Sequence, residues 1–223
     1  MAELGRAVAT VTHEIRNPLA AMRTWLHVLE QKLPLDDPGL SRPVDRIKRG
    51  IRQCDNIIDD LLDFSRRTDL NPQPTRIDNW LQALIHDQLL PEGVAVAFHP
   101  GLADRRIPID RERLRRAVVN LIENACQAIG GDRKPGIVTV STLPAGPSVL
   151  LRVADTGPGV AEEIRDRVFE PLFSTKGSGI GLGLAIVRDT VEQHGGTVRI
   201  EDNPGGGACF AILLPAPEEG PET

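Results

Sequence analysis

Pro34-Leu35-Asp36-Asp37-Pro38-Gly39-Leu40-Ser41-Arg42-Pro43 carries three prolines and a glycine between two stretches of helical pattern. A run of this kind does not continue a helix, because each proline lacks a backbone N–H and its ring crowds the preceding turn. On its N-terminal side, apolar residues fall at Leu4, Val8, Val11, Ile15, Leu19, Met22, Leu26, Leu29 and Leu33, in steps of 3 and 4. On its C-terminal side the spacing returns at Val44, Ile47, Ile51, Cys54, Ile58 and Leu61. Each is a heptad-like stripe on one helix face. The break between them predicts an antiparallel helical hairpin with its loop at 34–43. Two helices bury their stripes against only one partner each. Seams this long on both predict a second copy of the chain, a homodimer whose two hairpins form a four-helix bundle. The competing expectation is that the seam packs on the rest of the same chain.

The whole chain sets bounds on this reading. It has 223 residues, 40% apolar and 26% charged, with a formal charge of −5, which suits a globular protein and excludes the basic excess of a general nucleic-acid binder. No apolar run approaches membrane-spanning length and no signal peptide stands at the N-terminus, so a cytoplasmic segment without membrane contact is expected. Cys54, Cys126 and Cys209 lie far apart without a CxxC spacing, which reads as reduced thiols. Tyrosine is absent and aromatics make up 3%, so the cores must be aliphatic.

Beyond the second stripe the composition turns polar and proline-bearing at Ser65-Arg66-Arg67-Thr68-Asp69-Leu70-Asn71-Pro72-Gln73-Pro74. The predicted organisation is a hairpin domain at 1–68, a linker at 69–75, a second domain at 76–215 and a disordered tail at 216–223. Within the second domain, helices are expected at 78–90, 111–129, 161–168 and 182–194. Strands are expected at 93–99, 136–143, 148–155, 196–202 and 207–214, with Pro144-Ala145-Gly146-Pro147 turning a hairpin. The alternation predicts a two-layer α/β sandwich with a mixed or antiparallel sheet following the helical hairpin.

Four places carry candidate chemistry. His13 lies two residues from Val11 and from Ile15, about 200° around the helix from each, which puts it off the apolar face. Glu14 beside it suits a carboxylate that holds an imidazole Nδ1–H and leaves Nε2 nucleophilic. Pro18 loosens the helix just beyond. In 111–129, Asn120, Glu123, Asn124 and Gln127 fall at i, i+3, i+4 and i+7, one polar stripe on an otherwise apolar helix. Buried without partners such a stripe is costly, whereas Mg²⁺ and phosphates would supply partners for it. Asp155-Thr156-Gly157-Pro158-Gly159 ends a strand, where a carboxylate accepts from an exocyclic amine and glycines let a flat ligand approach. Gly177-Ser178-Gly179-Ile180-Gly181-Leu182-Gly183-Leu184 reads as a glycine-rich loop that ends at a helix N-terminus, a setting for phosphate oxygens.

Thr12-His13-Glu14-Ile15-Arg16-Asn17-Pro18-Leu19 resembles the phospho-acceptor motif of sensor histidine kinases. The segments around Asn120, Asp155, Phe169-Glu170-Pro171-Leu172-Phe173-Ser174-Thr175-Lys176 and Gly177–Leu184 resemble, in order, the asparagine, first glycine, phenylalanine and second glycine motifs of that family's ATP-binding domain, a fold it shares with DNA gyrase B. The pattern is most similar to the nitrogen-regulation type. The resemblance implies that His13 is phosphorylated, that Glu14 is its general base, and that Asn17 supports hydrolysis of a phosphorylated response regulator. It implies ATP and Mg²⁺ as cofactors, with Asn124 and Asn120 toward the metal and Asp155, Gly157 and Gly159 at adenine. Residues 171–181 become a lid, in which Lys176, Gly179, Gly181 and Gly183 are phosphate-side candidates. It further implies a response-regulator receiver domain as partner. Gln127 and Ala128 depart from the basic and aromatic residues many members carry there, so no cationic phosphate contact is expected from that helix. A gyrase-type ATPase clamp and a nucleotide-binding dimeric scaffold are the alternatives. No sensor region precedes Met1, which reads as a piece of a longer kinase or one that senses through a partner.

Overall fold

The computed structural model describes residues 2–32, 38–65, 69–130, 135–175 and 181–216. Two compact units meet in sequence between Thr68 and Asp69.

The first unit is a pair of helices, α1 (Ala2–Lys32) and α2 (Pro38–Ser65). Leu19, Leu26, Val44, Ile51 and Ile58 form its buried cluster. The ion pairs Arg23–Asp55 (2.9 Å) and Lys48–Glu30 set an antiparallel register, which puts Leu19 level with Ile58 and Leu26 with Ile51. The predicted loop is too long at its C-terminal side. Pro38 to Pro43 are helical, and only 34–37 of that loop fall outside the described residues. Pro38 opens α2 at the first position, where its fixed φ suits a helix and its missing N–H has no partner to lose. Pro43 forfeits one backbone bond inside the helix, beside Val44, which is buried. The seam residues Leu4, Val8, Val11, Leu33 and Leu61 have side chains outside the described residues.

In the second unit, α3 (Ile77–His86), α4 (Arg111–Ile129) and α5 (Gly183–Gln193) cover one face of a five-stranded sheet. Its strands are β2 (Val94–His99), β4 (Gly136–Ala145), β5 (Ser148–Asp155), β6 (Thr197–Asp202) and β7 (Ala208–Pro215), in the order β2-β4-β5-β7-β6. β2 pairs parallel to β4 and every other pairing is antiparallel, so the sheet is mixed. Alternate residues Val138, Val140, Val149, Leu151, Val153, Ile212 and Leu214 face the helices and are buried with Leu81, Leu114, Leu121 and Val187. Each such aliphatic side chain contributes about 1.5–3 kcal/mol. The β4–β5 hairpin pairs Ala145 with Ser148 across Gly146-Pro147. Gly146 takes φ +60 at the first central position, as a type II′ turn requires, and Pro147, held at negative φ, excludes type I′.

Asp110 caps α4, accepting from the Arg113 N–H (3.2 Å) and also from the Asn71 N–H (3.1 Å). Burial alone would raise its pKa, but those donors and the Arg113 charge outweigh burial and hold it below the ordinary value. Asp78, buried in the first turn of α3, accepts from the Thr142 hydroxyl (2.6 Å) and the Leu102 N–H (2.8 Å), tying α3 to β4.

Three expectations change. Two strands absent from the reading, β1 (Gln73–Arg76) and β3 (Arg106–Ile109), form a separate antiparallel ribbon, and β1 lies in the segment read as linker. Pro74 faces Pro108 in this ribbon, and proline, which discourages a strand reading, is tolerated on a two-stranded edge. The helix expected at 161–168 is instead two single turns, Glu162–Ile164 and Arg167–Phe169, too short to hold an independent helix. α3 ends at His86 rather than 90, with Asp87 at its C-cap, and Pro91 keeps Leu90 itself out of helix.

Candidate functional site

α4 is the scaffold of the site. Leu114, Ala117, Val118, Leu121, Ile122, Ala125, Cys126 and Ile129 are buried beneath it. The opposite stripe holds Asn120 and Asn124, half-buried, and Glu123 and Gln127, exposed. Although Glu123 reaches solvent, the surrounding protein desolvates its carboxyl enough to raise its pKa. That charge, after burial, helps push the Cys126 thiol up as well.

Asn120 meets the start of α5. Its Nδ2 donates to the Gly183 carbonyl at 3.4 Å, across 63 residues of sequence. A Cβ at Gly183 would lie 3.7 Å from Asn120 Cγ. With Nδ2 so committed, Oδ1 of Asn120 is the atom left to coordinate. At the N-terminus of α4 and the C-terminus of α5, Arg113 donates to Gln193, and the Asp110 N–H donates to His194 Nε2 at 2.9 Å. α4 and α5 are therefore antiparallel, with α5 tied at both its ends to the N-terminal half of α4.

Asp155 closes β5 and is buried, only 3% exposed. Its Oδ1 accepts from the Gly157 N–H (2.8 Å) and the Ala208 N–H (3.2 Å). Among the described residues every recorded donor to this carboxylate goes to Oδ1, which leaves Oδ2 to accept from a ligand. Asn203 Nδ2 donates both to the Asp155 carbonyl (2.9 Å) and to the Gly206 carbonyl (2.6 Å), folding the β6–β7 turn onto the end of β5. Gly207 has φ +85, and a Cβ there would lie 1.9 Å from the Asp155 carbonyl oxygen, so no other residue fits. Gly157 packs on Ala128 of α4, and Gly159 lies against Gly207.

Between these parts runs the base of the glycine-rich loop. Leu172 adopts φ +66, an uncommon strained state for a branched residue, and its N–H donates to the Gly181 carbonyl at 3.0 Å. A Cβ on Gly181, at φ +76, would lie 2.3 Å from the Phe173 carbonyl oxygen. The Arg167 guanidinium stacks 4.6 Å over the Phe173 ring and that of Arg188 lies 4.7 Å over Phe169, which meets Phe210 edge-on.

The structure thus gathers Asn120, Asp155, Gly157, Gly159, Gly181 and Gly183 into the second unit around α4, with Asn124 on the same helix face as Asn120. Lys176 and Gly179 lie outside the described residues. His13, Glu14 and Asn17 belong to α1 in the first unit. Asn17 is exposed, and the side chains of His13 and Glu14 lie outside the described residues. Among the described residues no group of three or more His, Cys, Asp or Glu side chains gathers to hold a metal. The oxygens of Asn120 and Asn124, hard neutral donors, fit an ion that takes its remaining ligands from phosphates and water. Sequence reasoning missed Asn203 and Gly207. The run Asn203-Pro204-Gly205-Gly206-Gly207 signals a turn, but nothing in it says that the turn closes on Asp155.

Two family models match the chain. Residues 3–70 match "His Kinase A (phospho-acceptor) domain" and residues 109–218 match "Histidine kinase-, DNA gyrase B-, and HSP90-like ATPase". The sensor histidine kinase ZraS of Klebsiella oxytoca is 34% identical over 222 residues, 95% of this chain and 46% of that protein. The chain thus spans a little under half the length of that curated relative. Among solved structures, full-length ShkA in complex with AMPPNP is 26% identical with TM-score 0.75, covering 97% of this chain and 47% of that one. The complex of histidine kinase ThkA with the response regulator protein TrrA is 25% identical with TM-score 0.68, covering 96% of this chain and 62% of that one.

Proposed function

From a chain that belongs to the sensor histidine kinases of two-component systems, we propose an ATP-dependent kinase that phosphorylates its own His13 and passes the phosphoryl group to an aspartate on a response regulator. The observation that carries the nucleotide half is Asp155, buried and held by two N–H donors on one carboxylate oxygen. Its other oxygen is suited to accept from the exocyclic amine of adenine, with Gly157 and Gly159 beside the ring plane. ATP and ligand binding of this kind are supported by the AMPPNP complex of ShkA.

In this reading Asn120 and Asn124 would hold Mg²⁺ through their amide oxygens, and the ion would supply charge neutralisation on the phosphates. The tie from Asn120 to Gly183 orients the amide and sets the α5 N-terminus, where Gly181 and Gly183 leave backbone N–H groups open to phosphate. Lys176 and Gly179 belong to the same loop. On α1, Nε2 of His13 attacks the γ-phosphorus of ATP while the bond to the β-phosphate oxygen breaks and ADP departs. Glu14 orients the ring and takes the Nδ1 proton. Asn17, one turn from His13, positions water for hydrolysis of the regulator's aspartyl phosphate. The regulator is the partner that the ThkA–TrrA complex supports.

A homodimer is proposed on the first unit. Ile15, Met22, Leu29 and Ile47 are 42–54% exposed, although they repeat at the same heptad spacing as the buried cluster. A second copy covers such a row. We assign residues 1–68 to dimerisation and phosphotransfer, 76–215 to ATP binding, and the segment to the cytoplasm.

The test is incubation with γ-labelled ATP followed by assay for an acid-labile, base-stable label. The parent is expected to label. His13→Gln abolishes the label with ATP affinity unchanged, whereas Asp155→Asn lowers ATP affinity and narrows discrimination against GTP. Hydrolysis of ATP with no protein-bound label would instead identify a clamp-type ATPase.

A further inference from the structure

The β1–β3 ribbon contains a pairing that its own charges oppose. Arg76 and Arg106 stand directly opposite one another in register, and like charges so placed repel. Arg76 has partial relief from Asp104 at 3.4 Å. Arg106 has no hydrogen-bond or ion-pair partner among the described residues. Next to them Arg111 donates Nε to Thr75 Oγ1 at 2.9 Å, which fixes its guanidinium and leaves the terminal N–H groups uncommitted. With Pro74, Thr75, Asn79 and Trp80, these three arginines line one open cleft of about 510 Å³. The cavity is separate from the nucleotide site, because Arg111 opens α4 and Asn120 follows it by about 14 Å of helix.

The lining specifies its ligand. Three cationic forks call for carboxylates or phosphates. An indole and a proline ring add an apolar wall that a lone inorganic anion would leave uncovered. An acidic peptide containing proline satisfies both, since proline segments lie on aromatic grooves with little ordering cost. This chain has such a segment in Pro217-Glu218-Glu219-Gly220-Pro221-Glu222-Thr223. Its point of departure is tied to the residue that leads into β3. The Ala216 N–H donates to the Pro147 carbonyl at 2.9 Å, and the Ala216 carbonyl accepts from Arg105 Nη2 at 3.2 Å. Arg105 is the residue before Arg106. Seven extended residues span about 23 Å, and a tether this short gives a millimolar effective concentration, so even a weak contact is filled.

We propose that residues 217–223 dock in this cavity, with the Glu218, Glu219 and Glu222 carboxylates on Arg76, Arg106 and Arg111 and a proline ring against Trp80. The bound carboxylates offset the repulsion across the ribbon.

The test uses the full chain with Trp25→Phe, so that the Trp80 indole N–H is the single indole signal in a nitrogen-edited NMR spectrum. Replacing all three tail glutamates by lysine (Glu218→Lys, Glu219→Lys, Glu222→Lys) leaves the folded residues untouched and is expected to shift that signal. Adding a synthetic peptide of residues 215–223 to this variant returns the signal toward the parent position. A further Arg106→Glu substitution weakens the peptide about tenfold, the equivalent of one charge-assisted hydrogen bond. Raising the salt concentration moves the parent signal in the same direction as the lysine substitutions. An unchanged Trp80 signal in the lysine variant overturns the proposal, as does a peptide that binds equally well with Arg106→Glu. Inorganic phosphate that shifts the parent and the lysine variant alike shows an open anion site that the tail does not occupy, which overturns it too.

Discussion

Asp155 and Asp110 are both aspartates at the end of a strand segment, and their neighbours give them opposite work. At Asp155 the donors crowd one oxygen and leave the other facing outward, the arrangement of a ligand acceptor. At Asp110 the donors serve the helix that follows. The lowered pKa of Asp110 means that the unfolded chain holds this proton more tightly than the folded one. The stability it contributes is complete above its unfolded pKa, about 3.9, and is lost as pH falls through its folded value. Asp110→Ala is therefore expected to cost about 1 kcal/mol at neutral pH, with the gap to the parent narrowing below about pH 4. Urea unfolding at pH 7 and pH 3 measures both, and a gap that widens in acid would contradict the assignment. Asp155 and Asn120 were legible in the sequence because each sits in a short-range pattern of glycines or helical spacing. Asn203 was not, since its role is to meet a carbonyl 48 residues away, and no local pattern encodes that distance.

The two rows of one apolar stripe separate cleanly on α1. Leu19 and Leu26 pack inside the hairpin, while Ile15, Met22 and Leu29 remain on the surface. A charge at either row damages a different object. Met22→Glu is expected to leave the hairpin folded and to convert a dimer to monomers, as it strands a carboxylate in the proposed interface at a cost of about several kcal/mol. Leu26→Glu buries the charge in the chain's own cluster and should reduce helicity itself. Sedimentation together with circular dichroism distinguishes them, and a parent chain that sediments as a monomer refutes the interface. Heptad spacing made both helices readable, but it did not say which row faces the partner helix and which faces outward. That choice depends on the register set by Arg23–Asp55 and Lys48–Glu30. Prolines misled the element reading twice, at the start of α2 and in β1, because a proline at a first helical position or on an edge strand breaks nothing.

The molecule is two units with separate cores, and the proposed chemistry needs one group from each. If each unit folds on its own core, a chain of residues 69–223 supplied with a separate chain of residues 1–68 is expected to label His13. The rate should fall well below that of the joined chain, since severing the link removes its effective concentration. Absence of label under conditions where 69–223 still binds ATP would show that the join does more than hold the units near one another. The two-unit division and the mixed sheet followed from composition shifts and alternating patterns that act over short stretches. The β1–β3 ribbon escaped notice because it pairs residues thirty or more positions apart, one of its strands lying in a segment read as a spacer. The double tie between α4 and α5 has a consequence for heredity and for engineering. Asn120 with Gly183 at the start of α5, and Arg113 and Asp110 with Gln193 and His194 at its end, make the two helices one unit of inheritance. A chimera that takes the asparagine helix from one relative and the glycine helix from another breaks both ties unless their partners travel together, so crossover points that yield working hybrids should fall outside 110–194.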